Sequence, residues 1–263
     1  MTKFRLLLLF LLAAVLLPLA FSRFSLAKKE PPLEDNQEVP EVDGDYPDPK
    51  NKDVRVRVFV YKEKQAKVST PSLVCSLGDP DSTAVVAKGN WHLPGSWTYN
   101  LNPASVPASV GSANLGTIAG NGFADWFSAS GSKVTFTKGA DTTKDRQAYD
   151  GKNIIAWGRT SGTALGVTYI RYLSSGGLVV DVDTIMNKKF LWSWSNSATC
   201  ADTASYDAEN ILTHELGHWM GLNDMYDVAN YREATMYGYG AKGEAKKDTL
   251  TTGDKAGAAA IYP

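Results

Sequence analysis

Three residues in the last quarter of the chain could carry out metal chemistry: His214, Glu215 and His218, in the pattern H-E-x-x-H. On a helix, residues four positions apart lie one turn apart on the same face, so both imidazoles can bind one metal ion. Glu215 lies beside that face, where it could hold a metal-bound water as a general base. An ordinary amphipathic helix can carry these residues by chance, so a helix without a metal is the alternative.

Two further residues follow at offsets that make chance a poor explanation. Gly221 can adopt a positive φ, which would end the helix and turn the chain back. That turn would bring Asp224 to the metal held by the two histidines, whereas a continuing helix would carry it away. The alternative is an exposed aspartate after a helix stop. The sequence predicts a zinc ion bound by His214, His218 and Asp224.

The helix that carries the motif is predicted to begin at Asp207. Aspartate is a good N-cap, and Glu209 adds negative charge to the first helical turn. The side predicted to face the core comprises Leu212, Leu216 and Trp219. The other side carries Ile211 and the motif residues, and we expect it to open toward a cleft.

The segments before this helix have the patterns of strands, with one helix among them. Residues 54–61 alternate apolar and charged side chains, which is typical of a half-buried strand. Strands are predicted at 54–61, 96–101, 133–137, 153–157, 165–172 and 178–186, and a helix at 111–130. These elements and two late helices predict an α/β (α+β) fold. In it, the motif helix packs across a mixed, mostly parallel twisted sheet and a C-terminal helix closes the chain.

The first 27 residues have the parts of a secretory signal. Lys3 and Arg5 precede an apolar run, and Ser25-Leu-Ala27 supplies small residues for cleavage. The run of about sixteen residues is shorter than the roughly twenty that span a bilayer, so cleavage is favoured over an uncleaved membrane anchor. The sequence therefore predicts a secreted protein without stable membrane association.

Residues 28–53 are rich in proline and acidic residues and have almost no large apolar side chains. Such a segment cannot offset the entropy lost on ordering, so it is predicted to be a disordered linker or a propeptide remnant. Residues 54–263 remain as the folded domain, with its core from about residue 90.

The charge of the chain indicates which partners it can bind, and its two cysteines indicate a possible disulfide. The formal charge is −1 and no basic cluster is present beyond short lysine pairs such as Lys246-Lys247, which argues against nucleic acid. Two cysteines in an exported chain most often pair, so a disulfide between Cys75 and Cys200 is expected. The alternative makes Cys75 a thiolate ligand that keeps a zinc site latent. We expect a monomer.

The motif resembles that of a known family. Residues 214–224, with Thr235-Met-Tyr-Gly-Tyr239 downstream, resemble the metzincin metallopeptidases, whose signature is H-E-x-x-H-x-x-G-x-x-H/D plus a Met-turn. Residues 250–263 resemble the closing helix of the matrixin branch, typically L-x-x-x-D-x-x-G-I-x-x-I/L-Y. The resemblance covers roughly the last 170 residues. Most matrixins have histidine as third ligand, whereas Asp224 is similar to the snapalysin-type metzincins.

The resemblance implies a zincin-like fold and a secreted endopeptidase with one catalytic Zn²⁺ and a protein or peptide substrate. Glu215 would be the general base and Met236 would form the Met-turn beneath the metal. Tyr237 and Tyr239 would line the specificity pocket. Residues 165–172 would be the edge strand along which an extended peptide substrate aligns.

Two further points stay open from the sequence. Asp181 and Asp183 fall where the family often binds Ca²⁺, and exposed acids at a strand end are the alternative. A catalytically silent scaffold of the same fold is a second function class, against which the intact Glu215 argues. A zinc hydrolase acting on a non-peptide cell-surface polymer is a third.

Overall fold

The computed structural model describes residues 38–64, 80–196 and 202–263. The predicted signal at residues 1–27 lies outside these ranges, as do Cys75 and Cys200 of the predicted disulfide. Within the described ranges, no helix has the length and apolar character needed to cross a membrane.

A mixed sheet with helices packed on it forms the described part of the chain, which confirms the α/β class. The strands are β1 (Gly44–Pro47), β2 (Val54–Glu63), β3 (Ser96–Leu101), β4 (Thr135–Lys138), β5 (Ile154–Gly158), β6 (Ala164–Leu173), β7 (Val179–Asn187), β8 (Trp192–Ser193), β9 (Tyr206–Asp207) and β10 (Tyr239–Gly240). The α-helices are α1 (Leu115–Ala129), α2 (Ala208–Trp219), α3 (Val228–Tyr231) and α4 (Thr252–Ala259). Short 3₁₀ turns cover Pro103–Ser105, Ser112–Asn114 and Lys246–Asp248. The six predicted strands and the predicted first helix are present, with boundaries shifted by a few residues.

The main sheet has the order β1-β2-β6-β7-β5-β3-β4, and β10 pairs with the end of β2. The pairs on the β4 side of β7 are parallel, whereas β1–β2, β2–β6 and β6–β7 are antiparallel. Strands β5 and β7 are almost entirely buried and apolar along most of their length, as central strands covered on both faces must be.

The prediction that residues 28–53 lack ordered structure is wrong at their end, because 44–47 form β1. This strand pairs antiparallel with β2 and buries Tyr46 to 6% exposure. Asp45 forms an ion pair of 3.0 Å with Arg55, and the Tyr172 hydroxyl of β6 donates to Asp45 at 2.8 Å. The segment has too few apolar side chains to fold by burying them, and it is ordered instead by backbone pairing and by these polar contacts.

Helix α2 packs against the sheet and is buried along its whole length. The Trp219 indole donates to the Thr184 hydroxyl of β7 at 2.9 Å, and the Trp126 indole of α1 donates to the Thr213 carbonyl at 2.9 Å. The three residues predicted to face the core are all buried: Leu212, Leu216 and Trp219. The helix is therefore fixed from two sides.

Candidate metal centre

Both ends of α2 are fixed by local interactions that the sequence predicts. Asp207 accepts hydrogen bonds from the backbone N–H groups of Glu209 and Asn210, each at 3.0 Å. At the other end Gly221 has φ of 103°. The Gly221 N–H donates to the His218 carbonyl at 3.0 Å, and the Leu222 N–H donates to the Gly217 carbonyl at 3.1 Å. These two bonds form a Schellman motif, which reverses the chain after the helix.

The reversal brings Asp224 to the two histidines. His214 Nε2 lies 3.1 Å and His218 Nε2 lies 3.6 Å from Asp224 Oδ1. The three candidate ligand atoms all lie within 4.8 Å of one another, and both imidazoles are fully buried. The structure thus brings together the three residues that the sequence predicts as metal ligands.

Each imidazole is oriented by a backbone carbonyl on its far side. His214 Nδ1 lies 2.7 Å from the Thr235 carbonyl, and His218 Nδ1 lies 2.9 Å from the Leu222 carbonyl. Since a carbonyl only accepts, the proton of each neutral ring is on Nδ1 and the lone pair is on Nε2. Such a carbonyl partner is the usual outer contact of a metal-binding histidine.

Four buried atoms at this centre have no hydrogen-bond partner: His214 Nε2, His218 Nε2, Asp224 Oδ1 and Glu215 Oε1. Leaving a buried polar group unsatisfied costs about 1–3 kcal/mol, and more for a charged group. Two imidazole nitrogens and a carboxylate oxygen are ligands of catalytic zinc, which keeps a further position for water or substrate. The residues present therefore fit a zinc ion, with Glu215 beside it.

The electrostatics favour a cation at the same place. Burial lowers the pKa of His214 and of His218 to about 3, so both rings are neutral near pH 7, the form that binds metals. Burial raises the pKa of Glu215 to about 8 and raises that of Asp224. These upward shifts measure the cost of two buried negative charges, which a divalent cation would offset.

Glu215 is held by β6, a contact that the sequence does not reveal. The Thr168 hydroxyl donates to Glu215 Oε2 at 2.5 Å and lies 2.6 Å from the Thr184 hydroxyl. A Cβ at Gly166 would lie 2.7 Å from Glu215 Oε1, so only glycine leaves room for the carboxylate. A glycine inside a strand is the one signal that could have indicated this close approach.

Met236 packs against α2 at Gly217, where an added Cβ would lie 2.2 Å from its sulfur. Asp254 in α4 accepts from the N–H groups of Thr235 at 2.9 Å and Met236 at 3.2 Å. Because the Thr235 carbonyl orients His214, α4 acts on the metal centre through this turn.

Tyr237 and Tyr239 surround a buried lysine that sequence reasoning missed. Lys247 is fully buried, and its ammonium group donates to the Tyr237 carbonyl at 2.9 Å and the Tyr239 carbonyl at 2.7 Å. It also hydrogen-bonds to the hydroxyl of Tyr61. A lysine within a pair of lysines gives no sequence signal for burial.

The expectation that the metal-binding side of α2 opens toward a cleft is wrong. The ring of Phe59 stacks on His218 with centroids 3.6 Å apart, and the ring of Tyr61 stacks on His214 at 3.8 Å. Both aromatic rings come from β2. Strand β6, expected to be a free edge, is instead paired with β2.

Asp181 and Asp183 are buried, so the alternative of exposed acids is also wrong. Their carboxylates lie against the Arg171 guanidinium, which donates to Asp181 Oδ1 at 2.9 Å and lies 3.7 Å from Asp183 Oδ2. Backbone N–H groups donate to the carboxylates as well: that of Gly151 to Asp181, and those of Ala148 and Ile154 to Asp183. Because every oxygen of these two carboxylates already accepts from a donor of the chain, calcium is not part of the proposed function.

Replacing Gly221 with alanine is expected to destabilise the protein by about 1–3 kcal/mol and to weaken zinc binding. A Cβ there would lie 2.6 Å from the Trp91 carbonyl, in a backbone conformation that alanine rarely adopts. Relieving this clash would shift the turn, and with it both Asp224 and the Leu222 carbonyl that orients His218. Denaturant unfolding and zinc titration measure the two effects.

The matched control is Gly116→Ala. Gly116 lies in α1, where an added Cβ would have nothing within 4 Å, so alanine should raise helix stability by about 0.5–1 kcal/mol. Unchanged zinc affinity in Gly221→Ala would show that the turn does not position the ligands.

Comparison with known proteins does not assign a function to this chain, so the assignment is based on the geometry of the site. Searches against protein-family models and against curated proteins both found no match. The case for zinc therefore depends on the buried cluster of His214, His218 and Asp224 itself.

Proposed function

We propose that this protein is a secreted zinc endopeptidase with a metzincin fold of the matrixin type and aspartate as third zinc ligand. The observation that carries the proposal is the convergence of two histidine nitrogens and an aspartate oxygen, all buried and unpartnered, beside Glu215. The predicted signal supports export, and the near-neutral charge supports a protein or peptide substrate over nucleic acid.

In this proposal His214, His218 and Asp224 hold the ion. Bound zinc supplies Lewis acidity and lowers the pKa of a water toward about 7. Glu215 accepts the proton of the attacking water through Oε1, which has no other partner. It then delivers that proton to the leaving amine as the peptide bond breaks.

The surroundings of Glu215 suit it to that role. The Thr168 hydroxyl fixes one carboxylate oxygen, and the other is buried with no hydrogen-bond partner. A buried carboxylate held in this way is already oriented, so little further conformational freedom is lost when it takes up a proton. A catalytically silent scaffold has no need of a buried, half-satisfied glutamate, so Glu215 favours an enzyme.

The test compares the wild type with Asp224→Ala in zinc content and in casein hydrolysis. Because Phe59 and Tyr61 cover the centre, hydrolysis is measured on the intact chain and after cleavage at a protease site engineered between Lys64 and Cys75, ahead of the predicted disulfide. The wild type should bind one zinc per chain and lose hydrolysis to a chelator, with recovery on adding zinc. Asp224→Ala should bind zinc substoichiometrically.

Asp227→Ala is the control, because it removes a carboxylate three positions away that caps α3. It should keep full zinc content. Full zinc content in Asp224→Ala would remove Asp224 from the ligand set. Zinc-loaded wild type that hydrolyses no peptide bond in either the intact or the cleaved form would rule out the peptidase.

A further inference from the structure

Strands β1 and β2 form a hairpin, residues 44–63, that lies directly over the candidate metal centre. We infer that this hairpin is an intrinsic inhibitor, which occupies the place of a peptide substrate and keeps the full-length chain latent until the hairpin is released. The inference rests on the proposed peptidase function, and deepens it by assigning a mode of regulation.

The first observation is that the hairpin closes the centre. The ring of Phe59 stacks on His218, and the ring of Tyr61 stacks on His214. Neither imidazole has any exposed surface, and neither has the Glu215 side chain. A peptide carbonyl cannot reach the metal ligands while these two rings are in place.

The second observation is the register of β2 over the general base. Tyr61 pairs with Gly166 and Phe59 pairs with Thr168 on β6. These are the two β6 residues that contact the Glu215 carboxylate. The backbone between Phe59 and Tyr61 therefore crosses the centre at Glu215, which is where a scissile peptide bond would have to lie.

The third observation is the way in which β2 is bound. It is extended, pairs antiparallel with β6 along most of its length and pairs parallel with β10 at its end. Backbone pairing of an extended segment with a strand edge is a common mode of peptide recognition. The hairpin thus uses the type of contact that any extended peptide could use at the same edge.

Side chains hold the hairpin in this position. The Tyr61 hydroxyl hydrogen-bonds to the buried Lys247 ammonium group, and the Tyr206 hydroxyl donates to Glu63 beyond it. At the other end of β2, Asp45 accepts from the Tyr172 hydroxyl of β6. These contacts fix both ends of the hairpin over the centre.

The fourth observation is that the hairpin contributes little to the main apolar core. Among the described residues, positions 38–64 supply only Phe59 and Tyr61 to the main apolar core. Apolar side chains on the opposite face of β2 form a separate cluster: Val56, Val58 and Val60, with Val39, Tyr46, Ala164, Val167 and Tyr169. Without the hairpin, the order β6-β7-β5-β3-β4 stays continuous and β6 becomes its edge.

Covalent attachment explains how such a hairpin can inhibit. A tethered segment acts at an effective concentration of the order of millimolar. Cutting the tether turns inhibition into a bimolecular equilibrium that dilution and substrate can reverse. Cleavage between Lys64 and Cys75 should therefore activate the enzyme without changing any described residue.

The experiment compares the zinc-loaded intact chain with the chain cleaved at the engineered site. We expect kcat/KM on a peptide substrate to rise at least about tenfold after cleavage and dilution, in line with the loss of effective concentration. A synthetic peptide of residues 44–64 should restore inhibition. The same peptide, labelled, should bind the separated zinc-free domain in a fluorescence anisotropy titration, a readout independent of activity. A Tyr61→Phe peptide, which cannot bond to Lys247, should bind more weakly.

A second route avoids cleavage. The intact Phe59→Ala and Tyr61→Ala chains, each checked for folding by circular dichroism, should be more active than the intact wild type. Equal activity of the intact, cleaved and substituted chains would overturn latency and leave the peptidase proposal standing. Zinc-loaded forms that are all inactive would overturn both proposals. A cleaved domain that unfolds when residues 1–64 leave would show that the hairpin is a permanent structural part.

Discussion

Replacing Glu215 with glutamine should lower kcat/KM for peptide hydrolysis by about 10²–10⁴-fold, the usual contribution of a general base. Glutamine has nearly the same shape and can still accept from Thr168, but it cannot take a proton from water. Zinc content should stay at one per chain, because Glu215 is not a ligand in the proposed site. The assay uses the cleaved chain, in which the hairpin no longer covers the centre.

Glu209→Gln is the matched control, since Glu209 is a second buried glutamate on the same helix. Its carboxylate accepts from Asn121 at 2.7 Å and from the Trp194 indole at 2.5 Å. Glutamine can still accept from Trp194 with its one oxygen, and its NH₂ group can donate to Asn121 once the Asn121 amide turns over. Its kcat/KM should be near that of the wild type. Equal losses in the two variants would point to distortion of α2 in place of lost chemistry, and an active Glu215→Gln would require a different base.

The parts of the site that the sequence predicts are those set by local interactions. Asp207 caps α2 and Gly221 ends it, because both effects depend on residues within one helical turn. The approach of Asp224 follows from that turn. Spacing on the helix, together with the turn that ends it, was therefore enough to predict that His214, His218 and Asp224 come together.

The parts that the sequence does not predict depend on partners far away in the chain. Alternation over residues 54–61 indicates a half-buried strand, but nothing in it says that β6 is the partner. The covering of the centre by Phe59 and Tyr61 is a consequence of that pairing. Lys247 likewise owes its burial to acceptors on Tyr237, Tyr239 and Tyr61.

The acidic pair of β7 shows the same limit. Asp181 and Asp183 have the sequence pattern of a cation site, and the cation that they meet is a side chain of the neighbouring strand. Arg171 lies across the antiparallel pair from Asp181, a relation fixed by register and not by sequence distance. The charge requirement was visible in the sequence, but the group that meets it was not.

Replacing Arg171 with methionine should therefore destabilise the fold by about 3–5 kcal/mol, the cost of breaking a buried ion pair on one side. Arg171 is 3% exposed and also lies 3.4 Å from Asp48, so its loss leaves a buried group of like charges. The control is Arg55→Met, which breaks a pair of 3.0 Å with Asp45. Because more than a third of each side chain in that pair is exposed, it should cost at most about 1 kcal/mol.

The loss in Arg171→Met should also depend on pH. Burial raises the pKa of Asp181 to about 6 and that of Asp183 to about 7, above the value of about 3.9 in an unfolded chain. The folded state therefore binds more protons, and the stability that this contributes is complete below about pH 4 and lost as pH rises through about 6 to 7. The positive charge of Arg171 lowers the pKa of both aspartates, so without Arg171 these pKa values rise further. Denaturant unfolding should therefore show a larger loss of stability at pH 8 than at pH 5. A loss at pH 8 no greater than that of Arg55→Met would mean that a cation other than Arg171 balances this pair.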